Sequence, residues 1–560
     1  MSSLNEQPAG RSAYRGINVA AHLAEMASRQ PDRRAIVWRR GAGYSHWTFR
    51  ELNEESDRYL RGLSAAGIVR GMRTILMVRP SPEFFALTFA LYKIGAVPVL
   101  IDPGMGMRRM AECLAKIEAE AFIGVPLAHV LRTTHPRSFA SVRIAVTVGP
   151  RWAWGGHTLR GLRSTDGRPF EACRTDASDP AAIIFTTGST GPPKAVLYTH
   201  GNFDAQVRIL RDHFKIEPGE IDLPTFPLFA LFDPALGMTA VIPEMDPTRP
   251  AMVDPTKIIQ AVRDQQVTHM FGSPALLRRV GIYGREHNIK LPSLRRVISA
   301  GAAVPADVLE MFAAMLESGA RIHTPYGATE ALPVTSIDHS EVLSDTRRFA
   351  ERGVCVGRPV AGAEVRIIGI SDEPIEKWSD DLAVPSGQIG EIVVNGPMVT
   401  SEYVSDREAT RRAKIDDESH RRDARATWHR MGDVGWQDEA GRIWFCGRKA
   451  HRVQTATGTL FTEPVEAIFG SLPGVKRTAL VGTGSPPTQT PVIILELESE
   501  DAGTDKLGEE LYLRAGNHDS TREIKIFLFH YHFPVDIRHN SKIFREKLAV
   551  WAAKRLGQSR

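Results

Sequence analysis

The chain has 560 residues, 42% of them hydrophobic and 24% charged, with 70 Lys and Arg against 65 Asp and Glu. That length exceeds one ordinary core and calls for a large layered domain with a smaller one beside it, and the composition excludes a fibrous or disordered chain. A formal net charge of +5 without a concentrated basic stripe argues against a nucleic-acid partner.

The opening MSSLNEQPAGRSAYRG lacks the apolar core of a secretory signal. The apolar stretches at 86–101 and 226–242 are interrupted by Lys93 or by Pro227, Asp233 and Pro234, so no transmembrane segment is expected. Cys113, Cys173, Cys355 and Cys446 lie far apart with no zinc or disulfide spacing, which suits a reducing, cytoplasmic setting.

Thr48 and Glu51 form the Thr-x-x-Glu pattern of a capping box, and Leu52, Tyr59, Leu60 and Leu63 follow at helical spacing. A strand at 74–78, a second helical stretch and an apolar run at 97–101 ending in Asp102, Pro103 and Gly104 predict a parallel α/β sheet. The pattern returns later. Residues 182–185 precede a Gly-rich turn, and 296–299 precede Ala300, Gly301, Ala302 and Ala303. Pro305 opens a helix with Val308, Leu309, Phe312, Met315 and Leu316 on one face. Small-residue loops after strands are where open α/β sheets place ligands.

Beyond about residue 355 the runs 365–368 and 391–395 read as β-rich, and the dense charges of 406–430 read as a solvated loop or helix. The character changes again after Gly447, which predicts a first domain over 1–447 and a second over 448–560.

The most informative stretch is a strand running into Thr186, Thr187, Gly188, Ser189, Thr190, Gly191, Pro192, Pro193 and Lys194. Glycines let backbone amides approach phosphate oxygens, hydroxyls donate, and the lysine offsets charge. The spacing is not that of a Walker loop, and taken alone these residues suit a phosphate loop and a surface turn equally.

This stretch resembles the phosphate loop of the adenylate-forming superfamily of acyl-CoA synthetases, adenylation domains and luciferases, with Ala195 in place of that loop's final glycine. Further motifs of the superfamily follow in order. They are Tyr92-Lys93-Ile94-Gly95-Ala96, Tyr326-Gly327-Ala328-Thr329-Glu330, Gly390-Glu391-Ile392, Met431-Gly432-Asp433, Gly447-Arg448 and a lysine near the C-terminus.

The resemblance implies an α/β fold, in which a large N-terminal domain of stacked α/β subdomains plus a β-rich subdomain carries a small mobile α+β C-terminal domain as a lid. It implies ATP and Mg2+ as cofactors. Residues 186–191 and Lys194 would hold phosphates; Gly301, Ala302 and Ala303 would flank adenine, with Tyr326 and Gly327 beside it. Asp433 would take the ribose hydroxyls and Arg448 a second ribose or phosphate contact. Thr329 would donate to the α-phosphate, Glu330 would hold Mg2+, and Lys542 would neutralise the charge that develops as the carboxylate attacks.

Three departures narrow the expectation. Ala230 stands where the superfamily carries a histidine or aromatic gate, leaving room for a bulky acid unless Phe229 or Phe232 fills it. Ala450, followed by His451, replaces a charged hinge, which argues against a thiol acceptor. Ser541 replaces the glycine before the lysine. With the phosphate loop, this ending is similar to that of the β-lactone synthetases of bacterial long-chain olefin biosynthesis. Those enzymes adenylate a 2-alkyl-3-hydroxy fatty acid, whose own hydroxyl then displaces AMP. The partners expected are therefore a long-chain hydroxy-acid substrate and, by the same resemblance, other enzymes of olefin biosynthesis. A long-chain acyl-CoA ligase and a catalytically inactive nucleotide-binding scaffold remain the alternatives.

Overall fold

The computed structural model of the protein describes residues 17–166, 168–186, 192–346, 351–420, 427–498, 504–535 and 543–557. Two seven-stranded sheets dominate the first half. One runs in the order Arg321–His323, Arg296–Ile298, His269–Phe271, Ile221–Pro224, Thr239–Val241, Arg34–Arg40 and Gly43–Thr48, parallel except for the final hairpin. The other runs His157–Thr158, Ile144–Thr147, Ala121–Gly124, Arg73–Met77, Val97–Leu100, Pro180–Phe185 and Ala195–Thr199, parallel except for its last pair.

The helices between the sheets follow from local chemistry. Thr48 caps Phe49–Ala65 by accepting from the Glu51 amide while Glu51 returns a bond to the Thr48 amide, as the sequence pattern predicts. Helix Pro82–Ile94 starts at the Ser81 cap and ends at Gly95, whose left-handed backbone closes the last turn. It is buried nearly all round, which explains why it reads as a continuous apolar run rather than an amphipathic one.

An eight-stranded antiparallel sheet occupies residues 326–448, with Thr427–Gln437 and Ile443–Arg448 at its centre. Residues 453–497 and 526–529 build a two-stranded and a three-stranded sheet around their own apolar cluster, with helices Thr462–Gly470 and Thr504–Gly516. No described helix is long and apolar enough to cross a membrane.

The charge-dense segment 406–430 corrects the expectation of a solvated element. Helix Arg407–Ala413 is largely exposed, but Lys414, Asp417, His429 and Arg430 are buried. Arg430 makes a two-point pair with the Glu391 carboxylate at 2.6 and 3.2 Å, joined by Lys449 Nζ at 3.0 Å. Charged residues enter a core when fixed partners await them, and sequence spacing does not reveal partners.

Candidate functional site

The carboxyl-terminal ends of the parallel strands open onto one cavity of about 1520 Å³, whose wall also takes in the loop Tyr326–Glu330 and strand end Arg448. Strand Pro180–Phe185 delivers Thr186 to its rim. The Thr186 amide donates to the Lys194 carbonyl (2.9 Å), and the Lys194 amide donates to Thr186 Oγ1 (3.0 Å), so the two ends of the intervening loop are held side by side. Thr187, Gly188, Ser189, Thr190 and Gly191 lie outside the described residues. Lys194 Nζ sits 4.7 Å from the centre of the Tyr403 ring, a cation–π contact that fixes the head of the lysine.

Tyr326 and Asp433 meet across two strands of the β-rich part. The tyrosine hydroxyl donates to Asp433 Oδ2 at 2.6 Å, and Arg448 Nη1 lies 2.9 Å from Oδ1. Burial, then the neighbouring Asp433 charge, pushes the Tyr326 hydroxyl well above its ordinary pKa, while Asp433 holds Arg448 above its own. Gly327 has no room for a side chain, because a Cβ would lie 2.8 Å from the Ala331 carbonyl oxygen.

Thr329 turns its carbonyl to the Tyr198 hydroxyl at 2.5 Å, and both Thr329 and Glu330 face the cavity. Glu330 Oε1 accepts from Tyr403 at 2.6 Å. Burial, followed by the Glu330 charge, raises the Tyr403 hydroxyl far above its normal range, so it remains a donor. Lys414 lies behind, donating to the Thr400 carbonyl, its ammonium pushed down to about 7 by burial. Among the described residues no group of three or more His, Cys, Asp or Glu is arranged for a metal.

The wall on the sheet that holds Arg296–Ile298 takes in Ala300 and Gly301, whereas Ala302 and Ala303 follow outside it. Ala300 was missed as a wall residue, although the strand ending at Ile298 points to it. Most of the remaining lining is apolar, with Asp222, Asp233 and His269 among the exceptions. Phe229 stacks on Phe271 at 4.3 Å and leans on Phe226 at 5.4 Å, and Phe232 packs edge-on against Phe203 at 6.1 Å. Phe229, the buried Ala230 and Phe232 all line the cavity.

Beyond Arg448 the short turn Lys449–His451 carries one cation, Lys449, engaged with Glu391, and a half-buried His451 whose imidazole is pushed down to about 4 by desolvation. Arg545 is clamped by Glu466 through two bonds of 2.6 and 2.9 Å. Lys542, three positions before it, lies outside the described residues.

A family model described as AMP-binding enzyme matches residues 23–404. The chain belongs to the AMP-binding enzymes. This AMP-binding enzyme is 49% identical over 554 residues to the olefin beta-lactone synthetase of Stenotrophomonas maltophilia (strain K279a), covering 97% of this chain and 99% of that protein. It is also 49% identical over 549 residues to the olefin beta-lactone synthetase of Xanthomonas campestris pv. campestris, covering 96% and 98%. Among solved structures, the amide bond synthetase McbA of Marinactinospora thermotolerans matches with a TM-score of 0.77 at 21% identity over 95% of this chain and 99% of that one. At that identity the likeness speaks for the fold, and the expected architecture of stacked α/β sheets, a β-rich part and a small C-terminal α+β part is the one observed. In this AMP-binding enzyme, Thr186, Lys194, Gly301, Tyr326, Gly327, Thr329, Glu330 and Arg448 all line one cavity, and Asp433 stands behind Tyr326 and Arg448.

Proposed function

We propose that this AMP-binding enzyme adenylates a long-chain 2-alkyl-3-hydroxy acid with ATP and then closes it to a β-lactone, releasing pyrophosphate and AMP. The observation that carries the reading is the single cavity in which an apolar volume runs into Thr329, Glu330 and Arg448. Its size exceeds the roughly 300–1,000 Å³ of ordinary small-molecule sites, as two alkyl chains require. The 49% identity to two olefin beta-lactone synthetases over nearly whole chains supports the same substrate class.

In this reading residues 186–191 and Lys194 cradle the phosphates, Gly301, Ala302 and Ala303 flank the base, and Tyr326 and Gly327 border it. The Asp433 carboxylate, already aligned by Tyr326 and Arg448, accepts from the ribose hydroxyls. Thr329 donates to the α-phosphate. Glu330 keeps one oxygen bound to Tyr403 and the other for a cation, and a lone carboxylate suits Mg2+, which takes its remaining ligands from phosphates and water. Bound there, Mg2+ would offset phosphate charge. The lid over 448–560 brings Lys542 to the site, where its ammonium neutralises charge as the carboxylate oxygen attacks the α-phosphorus and pyrophosphate leaves.

The 3-hydroxyl oxygen then attacks the acyl carbon and loses its proton to solvent, the acyl–phosphate bond breaks, and AMP departs with the electron pair. The nucleophile is already attached, so proximity replaces a second binding event, and the engaged Lys449 beside Ala450 leaves the hinge without a spare charge. The test is product analysis with ATP and a long-chain 2-alkyl-3-hydroxy acid, with and without CoA. Lactone and AMP without CoA are expected. A thioester formed only when CoA is added would leave adenylation standing and remove the lactone.

A further inference from the structure

Strands Ile221–Pro224 and His269–Phe271 are parallel neighbours with Asp222 opposite His269, so both side chains leave the sheet on one face. There Asp222 Oδ1 and His269 Nδ1 lie 2.6 Å apart, with side chains only 3% and 7% exposed. Asp233, from the short helix Phe232–Leu236, is equally buried and hydrogen-bonds Asp222. Burial and the adjoining Asp222 charge push the Asp233 carboxyl well above the usual carboxylate range, so it holds the proton that the pair shares.

All three residues line the cavity, and among the described residues His269 Nε2 and Asp233 Oδ2 have no hydrogen-bond partner. Buried polar atoms are nearly always paired, and two unpaired atoms in one cluster on a cavity wall mark a place where a ligand completes the set. The chemistry of that ligand can be read from the cluster. With Nδ1–H donated to Asp222, His269 Nε2 is an acceptor, and Asp233 Oδ2 is a second one. Around them stand Phe226, Phe229, Phe271, Leu236 and Met238. Two acceptors in an aromatic and aliphatic wall fit a hydroxyl carried on an otherwise apolar chain.

A run of three aromatic side chains links the cluster to the loop that carries Thr329. Phe232, next to Asp233, packs on Phe203 at 6.1 Å, Phe203 stacks on Tyr198 at 4.8 Å, and Tyr198 donates to the Thr329 carbonyl at 2.5 Å.

We propose that Asp222, Asp233 and His269 form a hydroxyl-recognition subsite in the acyl cavity, with His269 Nε2 accepting the hydrogen of a hydroxyl on the acid, so that hydroxy acids are selected over plain ones. Asp222 is a positioning residue that fixes the tautomer. A site built to bond a hydroxyl rejects an analogue that lacks it, because its own buried groups are then left unpaired. The inference rests on the acid-adenylating reading above.

The test measures ATP-dependent pyrophosphate release with a long-chain 3-hydroxy acid and with the same acid lacking the hydroxyl. The parent enzyme should favour the hydroxy acid by about tenfold or more in kcat/KM. His269→Leu should bring the two acids within about twofold of each other by slowing only the hydroxy acid, and His269→Gln, which keeps an acceptor near the Nε2 position, should restore part of the preference. The glutamine variant alone decides the matter if the leucine variant does not fold. A parent that treats both acids alike, or a preference unchanged in the variants while both acids slow together, overturns the subsite and leaves adenylation intact. No pyrophosphate from either acid removes the adenylating reading, and the subsite with it.

Discussion

Among the buried clusters of ionisable groups in the described residues, two differ in how completely they close. Lys93 Nζ bonds Asp57 Oδ1 (2.6 Å), Ser56 Oγ (2.7 Å) and Asn53 Oδ1 (2.8 Å), while Asp57 Oδ2 accepts from the Phe170 amide (3.3 Å). Every group there answers another, and the cluster pins helix Pro82–Ile94 to helix Phe49–Ala65. The Asp222–His269–Asp233 cluster is buried to the same degree but leaves two atoms without a protein partner among the described residues. Burial of charge therefore does not separate scaffold from site in this fold. The accounting of partners does.

That contrast predicts opposite phenotypes. The largest effect belongs to the closed cluster: Lys93→Met leaves the Asp57 carboxylate buried and unpaired, which costs about 3–5 kcal/mol of stability. Urea denaturation would register it, and the preference between hydroxy and plain acids should not move; a changed preference would break the contrast. Next comes a lesion outside both clusters. Lys542→Ala should slow adenylate formation roughly 10²–10³-fold for every acid, about 3–4 kcal/mol of barrier, while ATP binding by titration calorimetry stays near parental. A rate equal to the parent's would remove the lysine from the reaction.

A further effect is in acid. Burial depresses His129, His200, His323 and His451 to about 4 from an ordinary 6.5. Above pH 6.5 both folded and unfolded chains hold these rings neutral. Between 6.5 and 4 only the unfolded chain takes up the protons, so stability falls as pH falls and levels off below 4. Urea midpoints at pH 7, 6 and 5 should descend in that order, and a flat series would contradict the burial of these rings.

Much of the proposed nucleotide side of the cavity was legible in the sequence, because its groups sit in short contiguous motifs. Tyr326, Gly327, Thr329 and Glu330 occupy one loop, and Asp433 reaches Arg448 through antiparallel pairing of the two strands that carry them. The Thr48 cap was legible for the same reason of locality. The acyl side was not. Asp222 and His269 are 47 residues apart and meet only through parallel register. Strand alternation puts each on the face opposite Leu223 and Met270, yet it does not say which strands are neighbours. Tyr403 and Tyr198, which hold Glu330 and Thr329, belong to segments with no chemical signature of their own. The burial of Lys414 and Arg430 was hidden by the charges flanking them, since only the folded sheet supplies Glu391 and the Thr400 carbonyl.

The Glu466 clasp on Arg545 has a bearing on the timing of the reaction. Three residues of extended chain span at most roughly 10 Å, which limits the backbone distance from position 542 to Arg545, whose guanidinium is anchored to helix Thr462–Gly470. That helix abuts Gly447, where even a methyl group would strike Thr462 Oγ1 at 2.1 Å. On the proposed role of Lys542, a change at the Gly447 seam would therefore be felt in the delivery of its charge.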